Sequence, residues 1–292
     1  MKVVGQGIPN HSHRLLRFVR TRRLFTLTLL LVGSVAAAAD PEPVSVTMGA
    51  DRSQLEPGGT MLLGARLEIE PGWHVYWKNP GDAGLATAVD LRLAQGFETG
   101  PLLWPVPIGF SQPGEIAGYG YEGSVLLLRE VWTPASFSQS TVQTIRAEVS
   151  WLACKDVCVL GEATVEEGLP LASAHLLSAE ALGRWRTTLP VDSSSGKAPF
   201  SLTVSPGAVP GPRTLWLQWA AQPNEFEFFP DPGEGLRVSD VKVRSRGGLT
   251  RIDLSVGRAG EPTHLTPVLQ SLVVVTDAAG RRRGYQLPIN LS

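Results

Sequence analysis

The chain has 292 residues, a formal net charge of −1 and only two cysteines. Its 26 basic and 27 acidic residues form no concentrated basic face, which phosphate binding requires, so the composition excludes nucleic acid as a partner. The 31 glycines and 23 prolines favour short strands and turns over long helices.

The N-terminus has the three parts of an export signal in order. Basic residues between Arg14 and Arg23 precede an apolar run from Leu24 to Ala39, which ends in small alanines suited to cleavage. The run is shorter than the roughly 20 residues that span a bilayer, which favours a cleaved signal over a retained anchor. We predict a signal peptide over residues 1–39 and an exported mature chain, whose cysteines meet an oxidising environment.

Two sets of strand-like runs follow the signal. Apolar residues alternate with polar ones, or are bracketed by Gly and Pro, in VSVTMGA, TMLLGARLEIE, SVLLLREVW and TVQTIRAEVSWLA. A second set begins at FSLTVS and ends at GYQLPINL. The sequence therefore predicts an all-β protein with one β-sandwich domain over 40–175 and a second, smaller one over 200–292.

One helix is predicted between these sets, over residues 178–189. Ser178 can cap it, Leu182, Trp185 and Leu189 share one face, and Pro190 ends it. The polar stretch VDSSSGKAP that follows is typical of a linker. We expect residues 176–199 to join the two sandwiches as helix and linker.

Aromatic residues and prolines concentrate between residues 71 and 121, in PGWHVYWKNPGDAG and GPLLWPVPIGFSQPGEIAGYGYEG. Proline removes a backbone donor and glycine admits positive φ, so this pattern predicts shaped loops that hold aromatic rings over a site.

A shorter motif, the arginines at 281–283, is interpreted as a solvent-exposed hairpin tip.

Cys154 and Cys158 are separated by three residues in SWLACKDVCVLGE. A structural disulfide (a staple) that closes so short a loop stabilises the folded state by only about 2 kcal/mol. A redox pair needs no further residue, because two neighbouring thiols pass between dithiol and disulfide. A metal site would need further ligands, for which the mature chain offers His74, His175, His264, Met48 and Met61. The spacing favours the redox use and leaves the staple and the metal site open.

Three stretches in combination resemble the periplasmic N-terminal domain of the thiol:disulfide interchange protein DsbD family, including its ScsB-like branch. They are PGWHVYWKNPGDAG, the segment from GPLLWP to GYGYEG, and WLACKDVCVLGE. The resemblance covers about residues 42–172, and more weakly the later strands. It implies an immunoglobulin-like fold for the sandwiches.

The resemblance also implies roles for individual residues. Cys154 and Cys158 fall on the family's redox pair, with attack assigned to Cys158 and resolution to Cys154. His74 and Tyr76 fall beside the cysteines. The segment from Ile116 to Tyr121, which includes Gly118, falls on a cap loop, with Tyr119 as the first shielding aromatic and Tyr121 as the next.

The implied function is electron transfer by thiol-disulfide exchange in the periplasm, with a redox-active disulfide and no cofactor. The implied partners are a separately encoded, membrane-embedded electron donor of the DsbD or ScsB type and periplasmic thioredoxin-like or disulfide isomerase proteins. The alternative is a non-enzymatic copper-handling or scaffold protein, in which the two cysteines bind metal or form a structural disulfide. Three departures from the family pattern stand out. Three residues separate the cysteines, a spacing that suits the ScsB-like branch, and Val159-Leu160-Gly161 follow the second cysteine where that branch commonly has prolines. The third is the membrane domain, which we expect to be a separate protein.

Overall fold

The computed structural model describes residues 42–112, 114, 116–137, 144–207, 209–233, 235–259 and 268–291. The predicted signal peptide, residues 1–39, lies outside them. Contacts within the chain group residues 41–292 into one unit.

Two antiparallel sheets form the first half of this unit. The first has the strand order β1-β2-β8-β5, and the second has the order β10-β9-β3-β7-β6 with β4 also paired to β9. Their strands are β1 (Val44–Ala50), β2 (Thr60–Ile69), β3 (His74–Gly81), β4 (Ala88–Arg92), β5 (Glu98–Thr99), β6 (Ile108–Gln112), β7 (Ile116–Tyr121), β8 (Ser124–Trp132), β9 (Thr144–Cys154) and β10 (Cys158–Gly168).

The core of the first half lies between these two sheets, as strand alternation dictates. On β8, Leu127 is fully buried in the same apolar cluster as Val75 of β3 and Val149 of β9. Its neighbour Leu128 points to the opposite face and packs in a separate cluster with Trp185. The two sheets therefore form a sandwich, and the outer face of one of them carries a helix.

That helix, α1 (Ala179–Thr188), begins and ends within one residue of the prediction. The Ser178 side chain accepts a hydrogen bond from the backbone N–H of Ala181, and Trp185 donates from Nε1 to the backbone oxygen of Leu126 at 2.9 Å. A short 3₁₀ turn, Ser173–His175, precedes it.

The second half contains two further sheets, with strand orders β11-β18-β17-β14 and β12-β13-β16-β15; β19 also pairs with β17. Their strands are β11 (Val191–Asp192), β12 (Phe200–Val204), β13 (Gly211–Trp219), β14 (Glu225–Asp231), β15 (Leu236–Arg246), β16 (Leu249–Arg258), β17 (Val268–Thr276), β18 (Arg282–Gln286) and β19 (Ile289–Asn290). The predicted linker 191–199 is only partly a linker, because Val191–Asp192 joins a sheet and Ser193–Ser195 forms a 3₁₀ turn.

The sheet that contains β14 and β17 is buried on both faces. Phe228 and Val273 lie in the core of the second half. Phe229, Leu272 and Val274 belong to the core cluster of the first half. A strand buried on both faces reads as a continuous apolar run, which explains LVVV in β17.

The all-β fold is confirmed, whereas the prediction of loops throughout residues 71–121 is wrong. Five strands, β3 to β7, lie in this region. The pairing of β3 with β7 shifts register between Tyr76 and Gly81, so Pro80, which has no N–H to donate, falls within the irregular part. The boundaries of the two sandwich domains stay predictions. In the described part of the chain, no helix is long and apolar enough to cross a membrane.

Candidate functional site

The two cysteines close a β-hairpin. Cys154 ends β9, Cys158 begins β10, and the two are direct partners in the strand register. A disulfide joins them, with sulfurs 2.04 Å apart. The three residues between them form the turn, in which the N–H of Lys155 donates to the backbone oxygen of Val157 at 3.0 Å. The pairing register thus holds both sulfurs at one corner of the sheet.

The two ends of the disulfide differ in exposure. Cys154 is only 2% exposed, whereas Cys158 lies on the solvent side of an edge strand and is exposed. Exchange begins with attack of a thiolate on an accessible sulfur. The accessible partner in this pair is Cys158.

Tyr76 supports the buried sulfur. On β3, Val75 and Trp77 face the core, so alternation turns His74 and Tyr76 to the other face, beside Cys154. The Tyr76 hydroxyl donates a hydrogen bond to Sγ of Cys154 at 3.4 Å in a buried position. A donor aimed at this sulfur stabilises it most when it carries negative charge.

His74 is the cross-strand partner of Cys154. Its ring lies 3.9 Å, centroid to centroid, from Phe110 and 5.4 Å from Tyr76. Its Nε2 is buried without a hydrogen-bond partner. Burial lowers the pKa of His74 below its usual value, and the negative charge of Glu122 partly opposes that shift. The imidazole is therefore neutral at neutral pH and brings no positive charge to the cysteines.

The segment predicted to be a cap loop is strand β7. Ile116 begins it and pairs with Gln112 of β6, so a β-hairpin stands where a loop was expected. Gly118 pairs with Phe110, and a Cβ at position 118 would lie 2.2 Å from the phenyl ring. The missing side chain lets the Phe110 ring lie across β7 and reach His74 and Tyr76 on β3.

The predicted shielding tyrosines lie away from the cysteines. Tyr119 packs edge-on against Phe229, with centroids 5.1 Å apart, and the Tyr121 hydroxyl donates to the backbone oxygen of Pro105 at 2.8 Å. Burial raises the pKa of both tyrosines, with a further contribution from Asp82 at Tyr119. Strand alternation explains the placement, since it turns both tyrosines to the face opposite Gly118.

Phe110 and Gln112 are site residues that the sequence analysis did not identify. Phe110 contacts the rings of both His74 and Tyr76. Gln112 donates from Nε2 to the Tyr76 hydroxyl at 2.5 Å. Phe110 and Gln112 are two residues apart and pair with Gly118 and Ile116 of β7. This spacing of two is the pattern that could have indicated a strand with both side chains on one face.

Exposed apolar side chains flank Cys158. Val157 in the turn is 61% exposed, Leu160 on β10 is 71% exposed and Leu85 is 55% exposed. Leu85 and Leu160 line a shallow groove of about 600 Å³ together with Trp151. A patch of this kind beside a reactive group is a feature of protein-docking surfaces.

Of the ligands considered for a metal site, His74 lies beside Cys154, whereas the other described ones lie elsewhere. Met48 and Met61 lie in the hydrophobic core, and the His175 ring is 3.0 Å from a carboxylate oxygen of Glu167. His264 lies outside the described residues. Across the residues that the structure describes, no group of three or more His, Cys, Asp or Glu side chains is placed to hold a metal ion.

The part of the chain that carries the disulfide and its neighbours is similar to a known protein family. Residues 45–170 match the family model described as thiol:disulfide interchange protein DsbD, N-terminal. This region, less than half of the chain, is therefore similar to the DsbD N-terminal domain family. The matched region includes both cysteines, His74, Tyr76 and the β6–β7 hairpin.

One solved structure extends the comparison beyond the DsbD-type domain. It is the crystal structure of the N-terminal periplasmic domain of ScsB from Proteus mirabilis, with a TM-score of 0.63 and 20% identity. The alignment covers 88% of this chain and 97% of that one, so the second half of the fold is shared as well. No curated protein matches the sequence in a direct comparison.

Proposed function

We propose that this chain is a periplasmic thiol-disulfide exchange module. The Cys154–Cys158 pair takes electrons from a membrane-embedded donor of the DsbD type and passes them to periplasmic thioredoxin-like or disulfide isomerase proteins. The observation that carries the proposal is the asymmetric disulfide, with Cys158 exposed and Cys154 buried beneath a tyrosine hydroxyl. The family match over residues 45–170 supports the same chemistry.

In the reductive step, a thiolate of the donor attacks Sγ of Cys158. The disulfide breaks, and its electron pair stays on Sγ of Cys154, which leaves as a thiolate and accepts the hydrogen bond from Tyr76. A second thiolate of the donor then attacks the donor sulfur of the mixed disulfide and releases Cys158. The donor is oxidised to a disulfide, and the chain now holds the dithiol.

Delivery runs through the same two sulfurs. The Cys158 thiolate attacks one sulfur of a substrate disulfide and expels the other as a thiolate. Cys154 then attacks Sγ of Cys158, which restores the internal disulfide and releases the second substrate thiolate. These steps need no cofactor, and they assign attack to the exposed cysteine and resolution to the buried one.

A structural staple is distinguished from this function by its reduction potential. We expect the Cys154–Cys158 pair, equilibrated with glutathione buffers, to have a potential above about −300 mV, whereas structural disulfides lie below that value. With an oxidised thioredoxin-like protein as substrate, Cys154→Ala should accumulate a mixed disulfide through Cys158, and Cys158→Ala should form none. Electron transfer at the wild-type rate by the double variant would contradict the proposal.

A further inference from the structure

A chain of hydrogen bonds runs from β6 to the buried sulfur. Gln112 donates from Nε2 to the Tyr76 hydroxyl oxygen at 2.5 Å, and that hydroxyl donates to Sγ of Cys154 at 3.4 Å. A phenol has a single proton to donate. Because the amide N–H occupies a lone pair of the phenol oxygen, the tyrosine proton is left for the sulfur.

We infer that Gln112 is a positioning residue for thiol exchange: its amide fixes the Tyr76 hydroxyl as a donor to Cys154 and so makes Cys154 the better leaving thiolate. The inference rests on the proposed function, and it deepens that function by explaining how the buried end of the disulfide carries charge. Gln112 acts on Cys154 through its hydrogen bond to the Tyr76 hydroxyl.

The buried position of Cys154 creates the need for such a donor. At 2% exposure its thiolate is poorly hydrated, and burial disfavours the charged form of a thiol. The neighbouring imidazole of His74 is neutral, because burial lowers its pKa. The Lys155 side chain extends toward Gly72, where a built Cβ would lie 3.2 Å from its Nζ. The Tyr76 hydroxyl is the donor that the structure places on Sγ of Cys154.

The amide of Gln112 is specific for this arrangement. A glutamate at the same position would accept the tyrosine proton and turn it away from Cys154. A leucine would fill similar space and leave the hydroxyl without a fixed orientation. The two substitutions therefore separate the direction of the hydrogen bond from the volume of the side chain.

The test measures the Cys154 thiol directly. In a Cys158→Ser background, Cys154 is the only thiol, and its pKa can be followed by thiolate absorbance. We expect Gln112→Leu, Gln112→Glu and Tyr76→Phe each to raise that pKa, by up to about one unit, as for loss of one hydrogen bond to a charged group. In the two-cysteine protein, the same variants should slow reduction of the disulfide by dithiothreitol by up to about tenfold.

Ser111→Ala is the matched control, because Ser111 is the exposed neighbour on the same strand. It should leave the Cys154 pKa and the reduction rate unchanged. The inference is overturned if Gln112→Leu and Gln112→Glu behave like Ser111→Ala while Tyr76→Phe raises the pKa. That result would leave the proposed function intact. A wild-type potential below about −300 mV would instead remove the proposed function, and the titration would still decide the role of Gln112.

Discussion

The ring of Phe110 packs against His74 with centroids 3.9 Å apart and the ring planes tilted by 43°, and His74 is the cross-strand partner of Cys154. The contact spans three strands, because Phe110 lies on β6 and reaches over Gly118 of β7 to β3. A residue without a side chain at position 118 is what allows the β6–β7 hairpin to cover the site.

Gly118→Ala should therefore displace the cover. The new methyl would lie 2.2 Å from the Phe110 ring, and that ring also packs against His74 with centroids 3.9 Å apart. We expect a loss of about 1–3 kcal/mol in the free energy of unfolding, as for other overpacked sites, measured by urea denaturation. Gly183→Ala in α1 is the control, because a methyl there meets no atom within 4 Å and favours the helix. Equal effects of the two substitutions would contradict this packing of Phe110 over Gly118.

His74 should make stability depend on pH. The folded protein holds the imidazole neutral, because burial lowers its pKa, whereas the unfolded chain binds the proton near pH 6.5. As the pH falls below about 6.5, the unfolded state takes up more protons, so the protein loses stability until the pH passes the folded-state pKa. His74→Gln should lack this loss, as seen in unfolding free energies measured across the range.

Glu122 provides the companion variant for that measurement. Its charge raises the pKa of His74 against the dominant effect of burial. Glu122→Gln should lower the His74 pKa further and extend the pH range of lost stability, which an NMR titration of the imidazole would report. Parallel pH profiles for the wild type and His74→Gln would show that the imidazole is not desolvated.

Local sequence pattern predicted much of the framework. Alternation predicted β1, β2, β8 and β9, and the Ser178 cap and Pro190 predicted the helix. These elements are determined by residues close in sequence. The sheets that they join depend on pairings over long distances, which periodicity alone does not specify.

The site shows the same limit. The cysteine pair was singled out from the sequence, and His74 and Tyr76 were placed beside it by the family resemblance, whereas the hairpin that joins the cysteines, Phe110 and Gln112 were not predicted. Their contacts depend on the pairing of β6 with β7. They also depend on the glycines of β7, which place no side chain on the face that the Phe110 ring crosses. The high density of glycine and proline in this region favoured a prediction of loops. For that reason the strands β6 and β7 were not predicted.

After reduction of the disulfide, the two cysteine thiols should differ in their rates of alkylation. Cys154 is buried and Cys158 is exposed, so iodoacetamide should modify Cys158 many-fold faster in the reduced protein. Peptide mapping at short reaction times measures both rates in one sample. Equal rates would mean that the hairpin opens on reduction, and the division into attacking and resolving cysteines would then fail.

The apolar patch beside Cys158 should matter for protein partners but not for small thiols. Leu160→Ser removes a side chain that is 71% exposed and flanks the reactive sulfur. We expect exchange with a thioredoxin-like protein to slow by about fivefold, the loss of about 1 kcal/mol of docking energy. Reduction by dithiothreitol should stay at the wild-type rate.

Leu249→Ser is the control for general surface effects, because Leu249 is 40% exposed on β16 in the second half of the fold. It should leave both rates unchanged. Slower exchange with dithiothreitol in Leu160→Ser would indicate a disturbed hairpin and not a lost docking contact.

Arg282 ties the second half of the fold to the strand that covers the site. Its guanidinium donates to the backbone oxygen of Pro107 at 2.8 Å and forms an ion pair with Glu227, whose other carboxylate oxygen accepts from the N–H of Gly109 at 3.4 Å. Pro107 directly precedes β6, and Gly109 is the second residue of that strand. The arginines at 281–283 are therefore not simply an exposed hairpin tip, and the second half of the fold helps to hold Phe110 and Gln112 in place.

Arg282→Met should loosen that connection. We expect a loss of about 1–2 kcal/mol in unfolding free energy, since the bonds are charge-assisted but partly open to solvent. Reduction by dithiothreitol should change as well, because the strand that carries Gln112 is held less firmly. The adjacent Arg281→Met is the control, as Arg281 is 82% exposed and pairs with Asp277 in the turn. Its loss should cost less than about 0.5 kcal/mol and leave the reduction rate unchanged. If Arg282→Met lowers stability without altering the reduction rate, the second half of the fold stabilises the domain but does not tune the cysteines.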